Sequence, residues 1–456
     1  MSAPKRERLT ASGVAVLTLT FALTLTARVW GIDRHYWMLE DQIRDWSVAL
    51  RPFTSLPLVG SPTHVHGYTI GPAFYWILWI IRTTVGPWFG NLPHAGGIGQ
   101  AMLQSAADTL LLAAVWRRTG SVWLALTTVV AVATAAADLS YSALVWNPMA
   151  GAALSKIATA FVLLGWPQRS AAGVAVTAAV AWCAVQSYTG AIFVAVGVFA
   201  ALLAGSAERR NRRAVVKNAA IVAVVVAVLQ VPYAIHQFSN RFNDSGMSAV
   251  TGSVQQVLKG EQPLDLGRSW DGYAHAFTEI ETAPWRKRWF VWVLVGCAAV
   301  VASRFRRDRP LLAVILLPQI AAVLGYAWYV GDFLDYYYYF PLMPAAVLTL
   351  TLSITAVRPT AWARAVSVAL LIAALALVPA RLRLSATLSR MPQYGPLLDG
   401  SRALVQLQRP VRAIRTEFAL PPTSDPEFIY GILGGRIDRT SAFTGVIAAD
   451  GRASIK

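Results

Sequence analysis

Four carboxylates crowd one short polar stretch of a chain that has few to spare. Asp33, Glu40, Asp41 and Asp45 lie in Gly31-Ile32-Asp33-Arg34-His35-Tyr36-Trp37-Met38-Leu39-Glu40-Asp41-Gln42-Ile43-Arg44-Asp45-Trp46, whereas the whole 456-residue sequence holds 23 acids. The stretch follows directly on an apolar segment, and ionisable groups beside lipid are costly unless paired or used. A carboxylate placed there can take a proton from an attacking hydroxyl, or hold a metal that offsets the charge of a departing phosphate. If residues 37–46 form a helix, Asp41 and Asp45 share one face at i,i+4 with Trp37 on the same stripe, and Glu40 pairs with Arg44 on an adjacent face. The plainer alternative is a solvated interfacial helix whose acids are neutralised by Arg34 and Arg44.

Three further polar groups have side chains suited to a phosphate or a sugar. His64-Val65-His66-Gly67 precedes Gly71-Pro72-Ala73-Phe74-Tyr75; two His at i,i+2 suit a phosphate or a metal, but no third ligand is evident and Pro72 reads as the first turn of a helix. Gly331-Asp332-Phe333-Leu334-Asp335-Tyr336-Tyr337-Tyr338-Tyr339-Phe340-Pro341 sets aromatic faces, which suit sugar rings, beside hydroxyls, which suit phosphate oxygens; an aromatic belt at the membrane surface would use the same residues. Ser140-Tyr141-Ser142-Ala143-Leu144-Val145-Trp146-Asn147-Pro148 reads as a turn followed by a new helix.

The elements that must position these groups are membrane helices. The chain is 56% hydrophobic, 14% charged, with a mean hydropathy of +0.49, against about 25% charged residues in soluble domains. Runs such as Ala219 to Ile235 and Phe340 to Val357 carry no charge and reach about the 17 residues a spanning helix needs. They are continuous rather than alternating, which argues against a β-barrel. The net charge of +17 comes from clusters such as Arg117-Arg118, Arg209-Arg210-Asn211-Arg212-Arg213 and Arg304 to Arg309, a positive-inside pattern and not a nucleic-acid surface. Cys183 and Cys297 sit in apolar runs and imply neither a disulfide nor a metal framework. The apolar N-terminal segment lacks a persuasive small-residue cleavage site and reads as a retained anchor.

The expected fold is an all-α polytopic membrane protein of about 11–13 transmembrane helices. A membrane domain, 1–380, carries two large outer loops, 31–68 and 236–288. A small extracytoplasmic α/β appendage, 381–456, has Phe428 to Ile432 as a buried strand and too little core to stand alone. One conflict remains in the topology: counting crossings from the N-terminus puts Arg117-Arg118 outside, while counting back from 209–213 puts it inside. A segment between 69 and 205 must therefore be re-entrant, interfacial or bounded differently from the apolar runs.

The order of these weak motifs resembles a family. A basic N-terminus and first helix lead to Leu39-Glu40-Asp41-Gln42, then to a Gly-Pro-x-x-Tyr helix start within Gly67 to Tyr75 and the Phe89-Gly90-Asn91 turn. Trp146-Asn147-Pro148 and Tyr337-Tyr338-Tyr339-Phe340-Pro341-Leu342-Met343-Pro344 follow. Together they resemble the GT-C membrane glycosyltransferases, the group that includes protein O-mannosyltransferases and lipid A aminoarabinose transferases; the tail matches nothing in it. The resemblance implies a bacterial inner-membrane enzyme that moves a hexosyl or pentosyl group from a polyprenyl-phosphate sugar to an extracytoplasmic acceptor. Carried over, the catalytic acid is Asp41 with Glu40 beside it, where many relatives have the order Asp-Glu, and Asp33 is a third candidate. Asp33, Arg44, His64, His66, Tyr337, Tyr338 and Tyr339 become substrate contacts. No Arg stands in the tyrosine element, so Arg44, Arg241, Arg286 or Lys156 must supply a phosphate-binding cation. No cofactor or resident metal is expected. The rival function is a transporter or flippase, which would need polar groups near the bilayer midplane; Asp108 and Lys156 are the exceptions to an otherwise apolar interior.

Overall fold

The structure is a computed structural model that describes residues 11–63, 67–167, 169–207, 212–277, 288–328, 336–355, 360–421 and 423–456. His64 and His66, Asp332 and Asp335, and Arg286 lie outside the described residues.

Among the described residues, six spans are long and apolar enough to cross a membrane: Ala11–His35, Pro93–Thr119, Arg212–Ser239, Arg309–Tyr326, Tyr336–Thr355 and Ala361–Leu388. Four shorter apolar helices join them. α1 (Ala11–Val29) carries threonines through its apolar length by returning their hydroxyls to the preceding turn: Thr20 donates to the Val16 carbonyl oxygen at 2.8 Å and Thr24 to that of Thr20 at 2.8 Å. Polar groups in lipid must be satisfied locally in this way. After it come α2 (Ile32–His35), α3 (Glu40–Ala49), α4 (Ala73–Thr84) and α5 (Pro93–Thr119). α5 starts with Pro93 in its first turn and stops at Gly120, whose φ of 69° ends the helix.

α4 settles the topological conflict. Its first turn reaches α3, where the Tyr75 hydroxyl donates to Asp45 at 3.0 Å. The loop at its far end also reaches α3, where Trp46 Nε1 donates to the Asn91 carbonyl oxygen at 2.8 Å. A helix of 12 residues is about 18 Å long, well short of the ~30 Å hydrocarbon core, so α4 enters and leaves on one side. α5 then makes the return crossing, and Arg118 at its end pairs with Asp308 inside the basic stretch 304–309. The Arg117-Arg118 cluster therefore shares a face with that stretch.

The rest of the bundle is α6 (Val122–Ala133), α7 (Ala136–Tyr141), α8 (Asn147–Leu163), α9 (Ala171–Ser187), α10 (Ile192–Ala207), α11 (Arg212–Ser239), α12 (Ser245–Leu258), α13 (Leu266–His275), α14 (Phe290–Arg304), α15 (Arg309–Ile315), α16 (Leu317–Tyr326), α17 (Met343–Thr355) and α18 (Thr360–Leu388). Starts are written in the sequence. Ser121 and Ser170 accept from the backbone N–H three residues on, at 3.2 and 3.0 Å, and Asp308 does the same at 3.3 Å. The expected turn before Pro148 is present: α7 ends at Tyr141 and α8 opens at Asn147 with Pro148 in its first turn. α5, α8, α9 and α10 form the centre of the apolar core with Leu111, Leu154, Val185 and Val198. Cys183 and Cys297 are both free.

α18 runs unbroken from Thr360 to Leu388, across position 380. The chain then builds α19 (Tyr394–Gln406), β1 (Ala413–Thr416), α20 (Pro426–Ile432), β2 (Thr444–Ile447) and β3 (Ala453–Ile455). β1 and β2 are parallel, with Ile414 opposite Gly445; β2 and β3 are antiparallel, with Val446 opposite Ser454. The stretch expected as a strand, Phe428 to Ile432, is helical. Asp425 caps it by accepting from the Glu427 N–H at 2.9 Å, Pro426 occupies its first turn, and those two signals outweigh the strand preference of Phe, Ile and Tyr. The unit shares a core with the first loop and the start of α5: Leu397, Leu398, Ile414, Ile429, Tyr430 and Ile447 pack with Tyr36, Met38 and Leu92.

Close packing at this junction needs glycine. A methyl group at Gly97 of α5 would meet the Ala143 carbonyl oxygen and the Tyr36 ring. Gly97→Ala is expected to destabilise the protein by about 1–3 kcal/mol, as overpacking does, and to lower its thermal unfolding midpoint in detergent. An unchanged midpoint would mean the α5–loop contact yields freely.

Candidate functional site

α3 rests on a buried base. Trp46 is fully buried and packs with Phe74, Leu78 and Val145. Asp45, also fully buried, accepts hydrogen bonds from Ser61 Oγ at 3.1 Å, Tyr75 Oη at 3.0 Å, and Arg44 Nε and Nη2 at 2.9 and 3.1 Å. Burial pushes the Asp45 carboxyl above the usual carboxylate range, and the hydrogen bonds and charge of Arg44 and the Tyr75 hydroxyl pull the other way. For Arg44, burial acts downward first. The hydrogen bond and charge of Asp45, with the charge of Asp41, outweigh it and hold the guanidinium above its ordinary value. Arg44 is therefore a fixed cation in a two-pronged grip.

The exposed end of that grip is Asp41. Arg44 Nη1 donates to Asp41 Oδ1 at 2.7 Å, with the Asp41 side chain 52% exposed. The expected pairing of Glu40 with Arg44 is replaced by this i,i+3 pair. The reason is that Asp45 holds the guanidinium on the side of the helix that Asp41 shares. Glu40 is exposed and makes no ion pair among the described residues. Asp41 and Asp45 are two ends of one bridge rather than equivalent acids: one faces water, the other anchors the helix. Trp37 lies before the start of α3 and is not part of its stripe. Asp33 is exposed, 3.9 Å from Arg34, which also pairs with Asp399 of α19.

The tyrosine element is a 3-10 turn, Tyr336–Leu342, leading into α17. Its residues have distinct settings. Tyr339 is 1% exposed and donates to the Ser269 carbonyl oxygen at 3.0 Å, tying the turn to α13. Tyr337 is buried and Tyr338 half-buried, their rings stacked with centroids 4.9 Å apart. Trp146 meets Tyr337 at 5.4 Å, and the Tyr141 and Tyr336 hydroxyls bond at 2.9 Å. Val145, next to Trp146, packs in the same cluster as Trp46 of α3, so the start of α8 joins the acidic helix to the aromatic wall.

Sequence reasoning singled out Asp108 and Lys156 but missed what they join. Lys156 Nζ is 2.8 Å from Asp108, 2.5 Å from Asp138 and 2.9 Å from Gln104 Oε1. Arg28 donates to Asp108 at 2.5 Å and to Ser105 at 2.9 Å, and also pairs with Asp138. Two cations and two anions from α1, α5, α7 and α8 thus close a neutral square, with side chains 0–7% exposed. The available signal was charge inside apolar runs, which Arg28 and Asp138 also show. The ammonium of Lys156 is committed there and is no phosphate contact. Arg241 sits at a turn with φ 52°. Among the described residues, no three His, Cys, Asp or Glu converge as a metal site.

No protein-family model and no curated protein matches the sequence. Solved structures do. The fold matches the crystal structure of ArnT from Cupriavidus metallidurans bound to undecaprenyl phosphate, with a TM-score of 0.56 at 14% identity, over 96% of this chain and 93% of that one. The apo form of the same ArnT gives 0.53 over the same shares at 14% identity. Fold and membrane spans together define a polytopic, mainly α-helical membrane protein. The particular likeness is to ArnT, across nearly the full length of both chains.

Proposed function

We propose that the protein is a membrane glycosyltransferase that takes a hexosyl or pentosyl group from a polyprenyl-phosphate carrier and transfers it to an extracytoplasmic glycan, lipid or protein. The observation that carries this is a solvent-facing carboxylate, Asp41, held at 2.7 Å by an arginine that is itself clamped to a buried acid, on a fold shared with an ArnT bound to undecaprenyl phosphate. The 31–68 loop and the 381–456 region face the outside of a bacterial inner membrane, where acceptor and donor meet.

In the reaction, an acceptor hydroxyl oxygen attacks the anomeric carbon. The bond from that carbon to the phosphate oxygen breaks, and the sugar inverts. Asp41 takes the hydroxyl proton, with Glu40 beside it, and the polyprenyl phosphate leaves with the bonding electrons. Arg44 holds and aims the Asp41 carboxylate through their 2.7 Å hydrogen bond. With two carboxylates around one guanidinium the α3 group is net negative, so Arg44 acts on the base more than on the phosphate. Trp146, Tyr337 and Tyr338 offer aromatic faces to the sugar, and interactions that strengthen as charge develops do the catalysis. Asp33, His64 and His66 complete the substrate contacts, and no metal is invoked.

The test is release of sugar from a panel of radiolabelled polyprenyl-phosphate sugars by the purified protein in lipid. Turnover with one donor is the expected result and names it. No turnover across the panel by well-folded protein, together with substrate uptake in proteoliposomes, would replace the transferase with a transporter.

A further inference from the structure

A small open hollow lies apart from the α3 site, where the ends of α1 and α18 meet α2 and α7. Trp30, His35, Trp37, Ser385, Ser389 and Arg390 line it, and Arg28 of the buried ion square forms part of its wall. Arg28 has its charge met by Asp108 and Asp138. Arg390 does not: it is half-buried and makes no ion pair among the described residues, and no carboxylate lines the cleft. His35 Nδ1 lies 3.0 Å from the Gly31 carbonyl oxygen. A carbonyl only accepts, so Nδ1 carries the hydrogen and Nε2 is left over. Ser385 and Ser389 donate to the carbonyl oxygens of Leu139 and Ser385 at 3.1 and 3.2 Å, which leaves their lone pairs as acceptors.

The position of the cleft says what would fill it. α1 and α18 are both spans with most of their surface uncovered by protein, their apolar windows 11% and 17% buried. Both end here, and Trp30 stands 72% exposed at the end of α1, as tryptophan does at headgroup depth. A half-buried guanidinium at that depth, between two lipid-facing helices, suits a phosphate, and basic pockets between membrane helices hold lipid headgroups. We propose that this cleft binds the phosphate headgroup of an anionic phospholipid, with Arg390 on the phosphate and the serine oxygens accepting from headgroup hydroxyls, apart from the acid pair on α3.

Native mass spectrometry of the full chain in detergent, titrated with phosphatidylglycerol, reads this out directly. Arg390→Gln is expected to weaken one lipid adduct about tenfold, Arg390→Lys to keep most of it, and Arg44→Gln to leave it unchanged. Equal adduct binding by wild type and Arg390→Gln would overturn the proposal. So would loss of the adduct to millimolar inorganic phosphate, which would make the cleft a site for the free anion. Competition by a short polyprenyl phosphate that disappears with Arg44→Gln would overturn it too, by merging the cleft with the α3 site.

Discussion

Lys156→Met should cost the folded protein about 3–5 kcal/mol, the penalty for breaking a buried ion pair from one side. The side chain is 2% exposed and meets two carboxylates and an amide oxygen. Methionine fills similar volume, so the loss is electrostatic: Arg28 alone would face Asp108 and Asp138, leaving a net negative charge in an apolar bundle. The square predicts a specific rescue. Adding Asp108→Asn restores neutrality, with Arg28 and Asp138 as the surviving pair, and the double variant should recover much of the lost stability. Thermal unfolding in detergent, followed by tryptophan fluorescence, gives the cycle, in which contacting residues couple by about 0.5–3 kcal/mol. A single variant as stable as wild type, or a double variant showing the simple sum of two losses, would remove the square as a unit that ties α1, α5, α7 and α8 together. The same neutrality bears on the rival function: a transporter needs intramembrane charge that engages and releases a substrate, whereas these four groups engage one another.

What the sequence revealed and what it hid follow from the range of the forces involved. Apolar runs are local, and the uncharged run Ala219 to Ile235 lies wholly within α11, Arg212–Ser239. Turn chemistry is local too, and Asn147-Pro148 starts α8 as expected. The error at Phe428 came from weighing side-chain preference above Asp425-Pro426, a helix start already visible in the chain. The ion square was beyond local reading because its partners are far apart, Arg28 lying 110 residues from Asp138 and Lys156 lying 52 from Gln104. Asp41 and Asp45 show the same limit at short range. Their spacing put them on one face, but only Ser61 and Tyr75, brought in by the loop and α4, separate the buried anchor from the exposed acid. The tyrosines likewise looked uniform in sequence; α13 takes Tyr339 for structure, while Trp146 presses Tyr337 against Tyr338.

The separation of the two aspartates carries the sharpest functional expectation. Asp41→Asn removes a proton acceptor while keeping shape and one hydrogen bond to Arg44, so kcat should fall by about 10²–10⁴, the usual worth of a positioned general base, with little change in KM for the lipid donor. Glu40→Gln should cost less than about tenfold, because no cation fixes Glu40 and a loosely held carboxylate is a poor base. Asp45→Asn should behave differently again: Arg44 loses its two-pronged grip and Asp41 its alignment, so activity and thermal stability fall together, whereas Asp41→Asn leaves unfolding within about 0.5 kcal/mol of wild type, as exposed substitutions do. Sugar release measured against donor concentration, beside the unfolding midpoint of each variant, separates the three cases. Full turnover by Asp41→Asn with loss in Glu40→Gln would hand the base role to the neighbour. Full turnover by both would take the chemistry off α3 altogether, since no other exposed acid on that helix remains.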